Sequence, residues 1–442
     1  MVLNDTIVAI ATPYGYSAIS VIRLSGEDAL SIAEKLFNRK TFEPRRAYYL
    51  KLKNPETGKV LDDVVAIYYR APHSYTGEDM LEIFAHGNPL IAQKIVDIII
   101  SLGARMAQPG EFTRRAFLHG KMDLLQAATI NNIINARSEQ AIYALRSRAE
   151  GKLSKELHEL REKLLDLLKE IEARIDFEDD IPDFPREEIN RRLADVIEHL
   201  QRMISSARSM EKVVEGISLV ILGRVNVGKS SVFNRILGFE RAIVSSIEGT
   251  TRDYISENLH MEGFMFRVID TAGIRETEDY IEKMGIERSM ELKEASDIIL
   301  FVLSSEGITD RERELVKKLP ANRTIIVINK IDMGEPEYHI DGFKTVKVSA
   351  KTGEGFEELK KEILKLAKEQ FTGDFYFSRS EYNLLKSALQ QLKTAEQMQE
   401  HPIDMVTYHI RAAAQSLASL LGIEDLPEEV LDRVFRDFCI GK

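Results

Sequence analysis

The spacing of hydrophobic residues along the chain changes twice, and each change predicts a different kind of domain. Short β-rich runs at 6–11, 19–24, 64–69 and 81–84, with an apolar helix near 90–102, occupy the first part of the chain. They predict an α+β domain over residues 1–118. From residue 121 to 175 apolar residues recur every three or four positions along one face, which predicts a long helix.

A polar stretch with two prolines at 176–185 ends that helix, and the same period resumes at Leu193, so two antiparallel helices are expected. Beyond Val213 short β runs alternate with helices, and after Ser378 the chain is helical again. Neither helical flank is large enough to bury its apolar stripes alone, so we expect the two to pack together. The predicted fold is therefore multidomain α/β and all-α. It has an α+β domain over 1–118, a discontinuous helical domain over 119–212 and 379–442, and an α/β domain inserted at 213–378.

Composition agrees with a globular protein of two to three domains. The 442 residues are 44% hydrophobic and 30% charged, and no apolar run approaches the roughly 20 residues that cross a bilayer. The single cysteine, Cys439, excludes an internal disulfide and a cysteine-rich metal site. Gly441 and Lys442 do not fit a prenylation signal. We therefore expect a cytoplasmic protein with no membrane association.

The net charge is −11, so no global positive field attracts the chain to nucleic acid, and any RNA contact needs a local basic patch or a partner. The strongest candidate patch is Arg114, Arg115, His119 and Lys121. A cluster this small is more often a solvated helix face.

A glycine-containing turn follows the apolar strand 218–222. The sequence from Gly223 to Ser230, GRVNVGKS, is the P-loop pattern, and a helix-compatible run comes next. Its backbone N–H groups and the helix N-terminus would face the β-phosphate of a nucleotide, while Lys229 supplies positive charge and Ser230 a hydroxyl for Mg²⁺. Strand, loop and helix together predict a nucleotide site rather than a chance glycine turn.

Further motifs in order along the chain complete the prediction. Strand 264–269 delivers the switch II pattern, Asp270 to Gly273, and the polar segment before it contains Thr251, which would close on Mg²⁺ when a triphosphate is bound. After strand 324–328, the Asp332 carboxylate can accept both N–H donors of the guanine edge, which adenine cannot match. The segment from Ser349 to Lys351 offers a backbone N–H for guanine O6. The sequence therefore predicts a GTPase over about 217–370.

The residues expected to contact GTP are Asn226, Val227, Gly228, Lys229, Ser230, Ser231, Ser245, Ser246, Ile247, Glu248, Gly249, Thr250, Thr251, Asp270, Thr271, Ala272, Gly273, Asn329, Lys330, Asp332, Ser349, Ala350 and Lys351.

The motif set resembles translation-factor-type GTPases, with one departure from the Ras pattern. Ile274 stands where a glutamine would orient the hydrolytic water, so hydrolysis needs another polar group and another positive charge. The residues themselves leave five candidates open, namely Arg275, Glu276, Glu278, Asp279 and Glu282. Asn226 either ligates a monovalent cation beside the phosphates or only caps the loop.

At the level of the whole chain, the sequence resembles the MnmE (also called TrmE) family of GTPases, which modify the wobble uridine of bacterial tRNA. The segments that carry the resemblance are 5–9 (DTIVA), 76–79 (TGED), 109–112 (PGEF), 249–253 (GTTRD) and 439–442 (CIGK). The resemblance implies a Ras-like P-loop GTPase domain activated by potassium, a discontinuous helical domain, and a folate-binding N-terminal domain that joins a homodimer.

The resemblance also implies roles for particular residues. Glu282 would position the hydrolytic water through a bridging water, Mg²⁺ would be bound by Ser230 and Thr251, and Cys439 is the family's suspected nucleophile, although a lone cysteine here could also be uninvolved. The K⁺ ligands would be Asn226, Ser245, Ile247 and Thr250. The contacts to 5-formyl- or 5,10-methylene-tetrahydrofolate would be Arg23, Glu82, Lys121 and Lys442, with Glu82 pairing with the pterin and Arg23 and Lys121 receiving the anionic tail.

The implied reaction adds an aminomethyl-type group, such as carboxymethylaminomethyl, to carbon 5 of the wobble uridine of certain tRNAs. A flavoprotein partner, MnmG, would supply FAD in a heterotetramer. The alternative is a regulatory GTPase that assembles ribosomes or other RNA particles, but such proteins usually carry a basic RNA-binding module, which this acidic chain lacks. A helical scaffold with a degenerate GTPase is a third possibility, and the complete motif set argues against it.

Overall fold

The computed structural model of the chain describes residues 5–55, 57–176, 185–238, 255–270, 296–336, 338–371, 373, 375–398, 400–423, 431, 434–436 and 438–442. The chain divides into two compact units. The first unit comprises residues 1–134, 147–196 and 387–442, and the second comprises 135–146 and 197–386. The boundaries of the three predicted domains do not coincide with those of the two units, and the division into three stays a prediction.

The first unit is built on a mixed six-stranded sheet. Its strands are β1 (Ile7–Ile10), β2 (Ile19–Ser25), β3 (Ala47–Lys53), β4 (Val60–Tyr69), β5 (Met80–His86) and β6 (Arg105–Met106). They lie in the order β3-β4-β5-β2-β1-β6, and all neighbours are antiparallel except β1 and β6. Side chains therefore alternate between the two faces along β2 to β5.

Two helices cover one face of this sheet. They are α1 (Ala29–Phe37) and α2 (Pro89–Ser101). Helix α2 begins where the Asn88 side chain accepts a hydrogen bond from the Leu90 N–H, with Pro89 in the first helical position. The two helices and the covered face of the sheet form one buried apolar core.

The opposite face of the sheet exposes large apolar side chains. Ile19, Tyr49 and Val65 are 55%, 73% and 36% exposed. The alternation along β2, β3 and β4 places all three on the face away from α1 and α2. The part of this face that carries Ile19, Tyr49 and Val65 is therefore open to solvent.

Ten further α-helices follow α2 along the described part of the chain. They are α3 (Glu111–Leu118), α4 (Leu124–Asn135), α5 (Glu139–Ala149), α6 (Lys152–Asp176), α7 (Arg186–Glu215), α8 (Lys229–Leu237), α9 (Asp310–Lys317), α10 (Phe356–Gln370), α11 (Arg379–Gln397) and α12 (Ile403–Leu421). Within the first unit α6 packs along α12, and each buries an apolar stripe, including Leu157 and Leu164 on α6 and Ile410 and Leu417 on α12. This confirms that the two helical flanks pack together.

The second unit contains a six-stranded sheet that is mostly parallel. Its strands are β7 (Ile217–Leu222), β8 (Ile255–Met261), β9 (Phe264–Asp270), β10 (Ile298–Ser304), β11 (Thr324–Asn329) and β12 (Lys344–Lys347). The order is β12-β11-β10-β7-β9-β8, and only β8 runs antiparallel to its neighbour. The carboxyl ends of the parallel strands therefore meet at one edge, where α/β proteins bind ligands. The predicted multidomain fold class is confirmed.

Candidate functional site

The predicted phosphate loop leaves β7 and enters α8. Gly223 has φ +147°, and a Cβ atom there would lie 2.3 Å from the Val302 carbonyl oxygen, so only glycine fits. Helix α8 begins at Lys229, with Gly228 as its N-cap in the left-handed region. The helix N-terminus and the loop N–H groups thus form a cradle suited to phosphate.

Two loop side chains that the sequence singled out lie at this cradle. The Lys229 ammonium donates to the Arg224 carbonyl oxygen at 2.8 Å, across the loop. Asn226 is exposed and has φ +68°, a conformation that asparagine tolerates better than most residues. Its amide is accessible to a ligand at this position.

Asn329 links the phosphate loop to the loop after β12. Its side chain is buried, and its Nδ2 donates to the Val227 carbonyl oxygen at 2.9 Å. Its Oδ1 accepts from the Ala350 N–H at 2.9 Å. A Cβ on Gly228 would lie 2.3 Å from Asn329 Nδ2, so this approach also requires glycine. One side chain therefore fixes the spacing between the two loops.

The carboxylate predicted to recognise guanine is oriented by a neighbour. The Ser349 hydroxyl donates to Asp332 Oδ1 at 2.7 Å, and Lys351 Nζ lies 4.0 Å from Asp332 Oδ2. Ser349 also accepts from the Thr352 N–H at 3.1 Å, which fixes its hydroxyl. The residues predicted to bind phosphate and those predicted to recognise the base thus meet at the carboxyl edge of the sheet.

Several predicted site residues lie outside the described residues. They are Ser245, Ser246, Ile247, Glu248, Gly249, Thr250, Thr251, Thr271, Ala272, Gly273, Ile274, Arg275, Glu276, Glu278, Asp279 and Glu282. Asp270 ends β9. The predictions for all of these residues stay predictions.

In the first unit, Arg23 and Glu82 face each other across β2 and β5. Arg23 Nε and Nη2 both donate to Glu82 Oε1, at 3.0 and 2.8 Å, and Arg23 Nη1 donates to the Gly441 carbonyl oxygen at 3.3 Å. The guanidinium also lies over the rings of Tyr75 and Phe112, with 5.1 and 5.7 Å to their centroids. The sequence analysis did not predict these contacts of Arg23.

A cavity of about 360 Å³ opens beside this pair. Its lining includes Arg45, Tyr69, His73, Tyr75, Glu82 and Lys121. Burial raises the pKa of the Tyr69 phenol, and the charge of Glu82 raises it further, so this hydroxyl stays a neutral donor. Lys121 Nζ donates to the Pro72 carbonyl oxygen at 2.9 Å. The structure thus brings Glu82 and Lys121 to one cavity, together with tyrosines that the sequence analysis missed.

The segment 439–442 docks next to Arg23. Gly441 has φ +96°, and a Cβ there would lie 2.5 Å from the Ile10 carbonyl oxygen. The Gly110 N–H donates to the Cys439 carbonyl oxygen at 3.4 Å, while the Cys439 thiol is exposed. Burial lowers the pKa of the Lys442 ammonium, and the nearby charge of Arg23 adds to the shift. Lys442 and Glu82 therefore approach the same arginine.

Two of the four residues of the candidate basic patch are buried, whereas His119 and Lys121 are exposed. Arg114 and Arg115 are 8% and 2% exposed. Arg115 donates to Asp5, Glu78 and Glu111, so its charge is neutralised by three carboxylates, of which Glu111 is fully buried. The description of this cluster as a solvated helix face is therefore wrong for both arginines, because α3 turns them into the domain interior.

Of the helices in the described residues, none is both long enough and apolar enough to cross a membrane.

Two family models match the chain. The model described as the MnmE helical domain matches residues 124–439, and the model described as the GTP-binding protein TrmE N-terminus matches residues 6–121. Between them they cover nearly the whole sequence.

Full-length relatives agree with both models. The chain is 43% identical over 450 residues to the tRNA modification GTPase MnmE of Aquifex aeolicus (strain VF5), with all of both chains covered. It is 40% identical over 453 residues to the tRNA modification GTPase MnmE of Pseudothermotoga lettingae, again with both chains fully covered. Among solved structures, the FeoB G-domain of Methanococcus jannaschii matches 34% of this chain and 98% of its own at 26% identity, with a TM-score of 0.25.

Proposed function

The chain belongs to the MnmE (TrmE) family of tRNA modification GTPases, and from that premise we propose that it hydrolyses GTP to drive modification of carbon 5 of the wobble uridine of certain tRNAs. The added group would be aminomethyl or carboxymethylaminomethyl. Its one-carbon unit would come from 5-formyl- or 5,10-methylene-tetrahydrofolate, and a flavoprotein partner, MnmG, would bring FAD. The proposal includes a cytoplasmic location.

One observation carries the GTP part of the proposal. The phosphate cradle at Gly228 and Lys229 and the base-recognition residue Asp332 lie at one sheet edge, and Asn329 fixes the distance between them. A ligand that satisfies both ends must carry phosphates at one end and a base with adjacent N–H donors at the other. GTP has that chemistry.

Two cations would complete the GTPase. Ser230 and Thr251 would bind Mg²⁺, which neutralises phosphate charge, and Asn226, Ser245, Ile247 and Thr250 would bind K⁺ in place of an arginine finger. Glu282 would position the hydrolytic water. Steady-state GTP hydrolysis in potassium and in sodium buffer tests the cation role. We expect faster hydrolysis in potassium, and equal rates would refute it.

The cavity beside Glu82 supports folate binding in the N-terminal domain. Glu82 Oε2 faces the Tyr69 hydroxyl at 3.4 Å, and a carboxylate there can accept the amino and ring N–H groups of a pterin. Lys121, Arg45 and His73 lie on the same cavity and suit the anionic end of folate. Calorimetric titration with 5-formyl-tetrahydrofolate tests this assignment, and no binding by the full chain would refute it.

The uncovered sheet face supports a homodimer through the N-terminal domain. Ile19, Tyr49 and Val65 share that face with Arg23 and Glu82, and a second copy would remove their apolar surface from water. Light scattering of Tyr49→Asp should report a monomer, because a carboxylate in the interface would be desolvated. The control Tyr143→Asp changes an exposed tyrosine on α5 and should leave the dimer intact.

The modification itself is tested in cells. Nucleoside mass spectrometry of tRNA from cells that lack this protein should show wobble uridines without the modification at carbon 5. Unchanged wobble uridines would overturn the proposal and favour a GTPase that assembles ribosomes or other RNA particles. Co-purification with MnmG and tRNA would then also be absent.

A further inference from the structure

A short turn at the end of β10, the Ser304–Glu306 turn, forms hydrogen bonds with Asn329 and Lys330, which begin the predicted guanine-recognition motif. The Ser305 N–H donates to the Asn329 carbonyl oxygen at 2.8 Å, and the Ser305 hydroxyl donates to the Lys330 carbonyl oxygen at 2.8 Å. Both contacts are made to backbone atoms. The turn therefore acts on the path of the chain at residues 329–330 and leaves the side-chain contacts of Asn329 untouched.

The chain needs support at this point because Lys330 has φ +69°. A residue with a Cβ enters the left-handed region at a cost of about 1–2 kcal/mol, so neighbouring contacts must stabilise it. A 3-10 turn, Ile331–Met333, follows directly and carries Asp332. The backbone conformation of Lys330 therefore sets the direction in which the Asp332 carboxylate points.

Glu306 holds the Lys330 side chain as well. Glu306 Oε2 accepts from Lys330 Nζ at 2.8 Å and from the Ser304 hydroxyl at 2.9 Å. These hydrogen bonds lower the pKa of the Glu306 carboxyl, Lys330 first and Ser304 second. The carboxylate therefore stays charged near neutral pH and keeps its hydrogen bond from the Lys330 side chain.

Two further hydrogen bonds hold the Ser304–Glu306 turn in place. The Tyr338 hydroxyl donates to the Ser304 carbonyl oxygen at 2.6 Å, and the Glu306 N–H donates to the Ser304 hydroxyl at 3.3 Å. Because Tyr338 anchors Ser304 from outside the turn and the Glu306–Ser304 hydrogen bond closes the turn internally, the turn can impose a conformation on Lys330.

We propose that Ser305 and Glu306 are positioning residues for guanine recognition, which hold Lys330 in its left-handed conformation so that Asp332 meets the base edge. This inference rests on the proposed binding of GTP. Neither residue belongs to the motifs that identify the nucleotide site, and neither need touch the nucleotide.

Binding of fluorescent mant-GDP and mant-IDP by the full chain tests this proposal. Inosine lacks the 2-amino group of guanine, so the ratio of the two dissociation constants measures how well Asp332 engages that group. In Ser305→Ala and Glu306→Gln we expect GDP affinity to fall about five- to tenfold, the scale of one lost hydrogen bond, while IDP affinity falls less. The ratio should therefore shrink towards one.

Matched variants separate positioning from general destabilisation. Glu362→Gln removes a carboxylate that pairs with Lys344 at 2.9 Å in the same unit, and its ratio should equal that of the wild type. Ser305→Thr keeps the hydroxyl and should restore the ratio. An unchanged ratio in both Ser305→Ala and Glu306→Gln, whether or not their melting temperatures fall, would overturn the inference. A wild type that binds no GDP would instead refute the proposed function, and the inference with it.

Discussion

Asn329 and Arg23 both tie separate parts of the chain together, but they leave their sites in different states. Asn329 uses its amide to space two loops, and the groups meant for the ligand remain at the edge of the sheet. Arg23 instead donates its hydrogen bonds to Glu82 and to the Gly441 carbonyl oxygen. In the nucleotide site the Asn329 side chain fixes two loops and leaves the edge of the sheet open to a ligand. In the N-terminal site the charged side chains of Arg23 and Glu82 pair with each other.

The difference predicts how each site responds to change. A substitution that distorts a preformed phosphate cradle should weaken ligand binding strongly, because the binding geometry exists before the ligand arrives. In the proposed N-terminal site a ligand would compete with contacts already made, so single changes there should have smaller effects. Four predictions test this comparison.

Gly228→Ala should have the largest effect. A Cβ at φ +93° would lie 2.3 Å from Asn329 Nδ2, so the loop or the Asn329 side chain must shift, which weakens the hydrogen bond from Asn329 to Val227. We expect GDP affinity to fall about 100-fold. The control Gly342→Ala shares the positive φ, but no described atom lies within 4 Å of its Cβ. Equal GDP affinities for the two variants would show that the close approach does not matter.

Asp332→Asn should follow. The neutral amide loses charge-assisted acceptance of the guanine N–H groups, so GDP affinity should fall about 50-fold. Because the amide can donate to a carbonyl oxygen, affinity for xanthosine diphosphate should rise. Asp341→Asn, at a carboxylate whose side chain is 97% exposed, is the control. Retained preference for guanine would contradict the assignment of base recognition to Asp332.

Glu82→Gln should weaken binding of 5-formyl-tetrahydrofolate about tenfold, because an amide is a weaker acceptor for the pterin N–H groups and also loosens Arg23. Calorimetry on the full chain measures the effect. Glu43→Gln removes an exposed carboxylate, paired with Arg46 in the same unit, and should bind like the wild type. If both variants bind normally, Glu82 is only a partner of Arg23.

Gly441→Ala should have the smallest effect. The new Cβ would collide with the Ile10 carbonyl, so the segment 439–442 should leave its dock and Arg23 should lose one acceptor. We expect folate affinity to fall about threefold. A spin label on Cys439, the chain's one cysteine, should become more mobile. Gly58→Ala, also at positive φ but with no described neighbour within 4 Å, should leave the label unchanged.

The sequence was sufficient to predict strands and the motif residues that directly follow them in the chain. The strands β7, β9 and β11 are mostly apolar and lead directly into motif residues, so their positions and their chemistry were predicted together. The edge strand β3 was missed because AYYLKLK is half exposed and mixes tyrosines with lysines. Helix α1 was also missed, since its nine residues present only a short apolar stripe.

Contacts between distant parts of the chain could not be predicted. Arg23 and Glu82 are brought opposite each other only by the pairing of β2 with β5. The burial of Arg115 depends on carboxylates from Asp5, Glu78 and Glu111, which come from three separate segments. The same holds for the Ser304–Glu306 turn, whose grip on Lys330 arises because β10 lies beside β11.

The pairing of α6 with α12 has a consequence for synthesis on the ribosome. Helix α6 leaves the exit tunnel early, but its partner is translated only after the whole second unit has been made. The nucleotide-binding unit has all of its strands before then and can fold first. Until α12 has been synthesised, the apolar stripe of α6 lacks this partner helix. The nascent chain therefore exposes an apolar surface of the kind that chaperones bind.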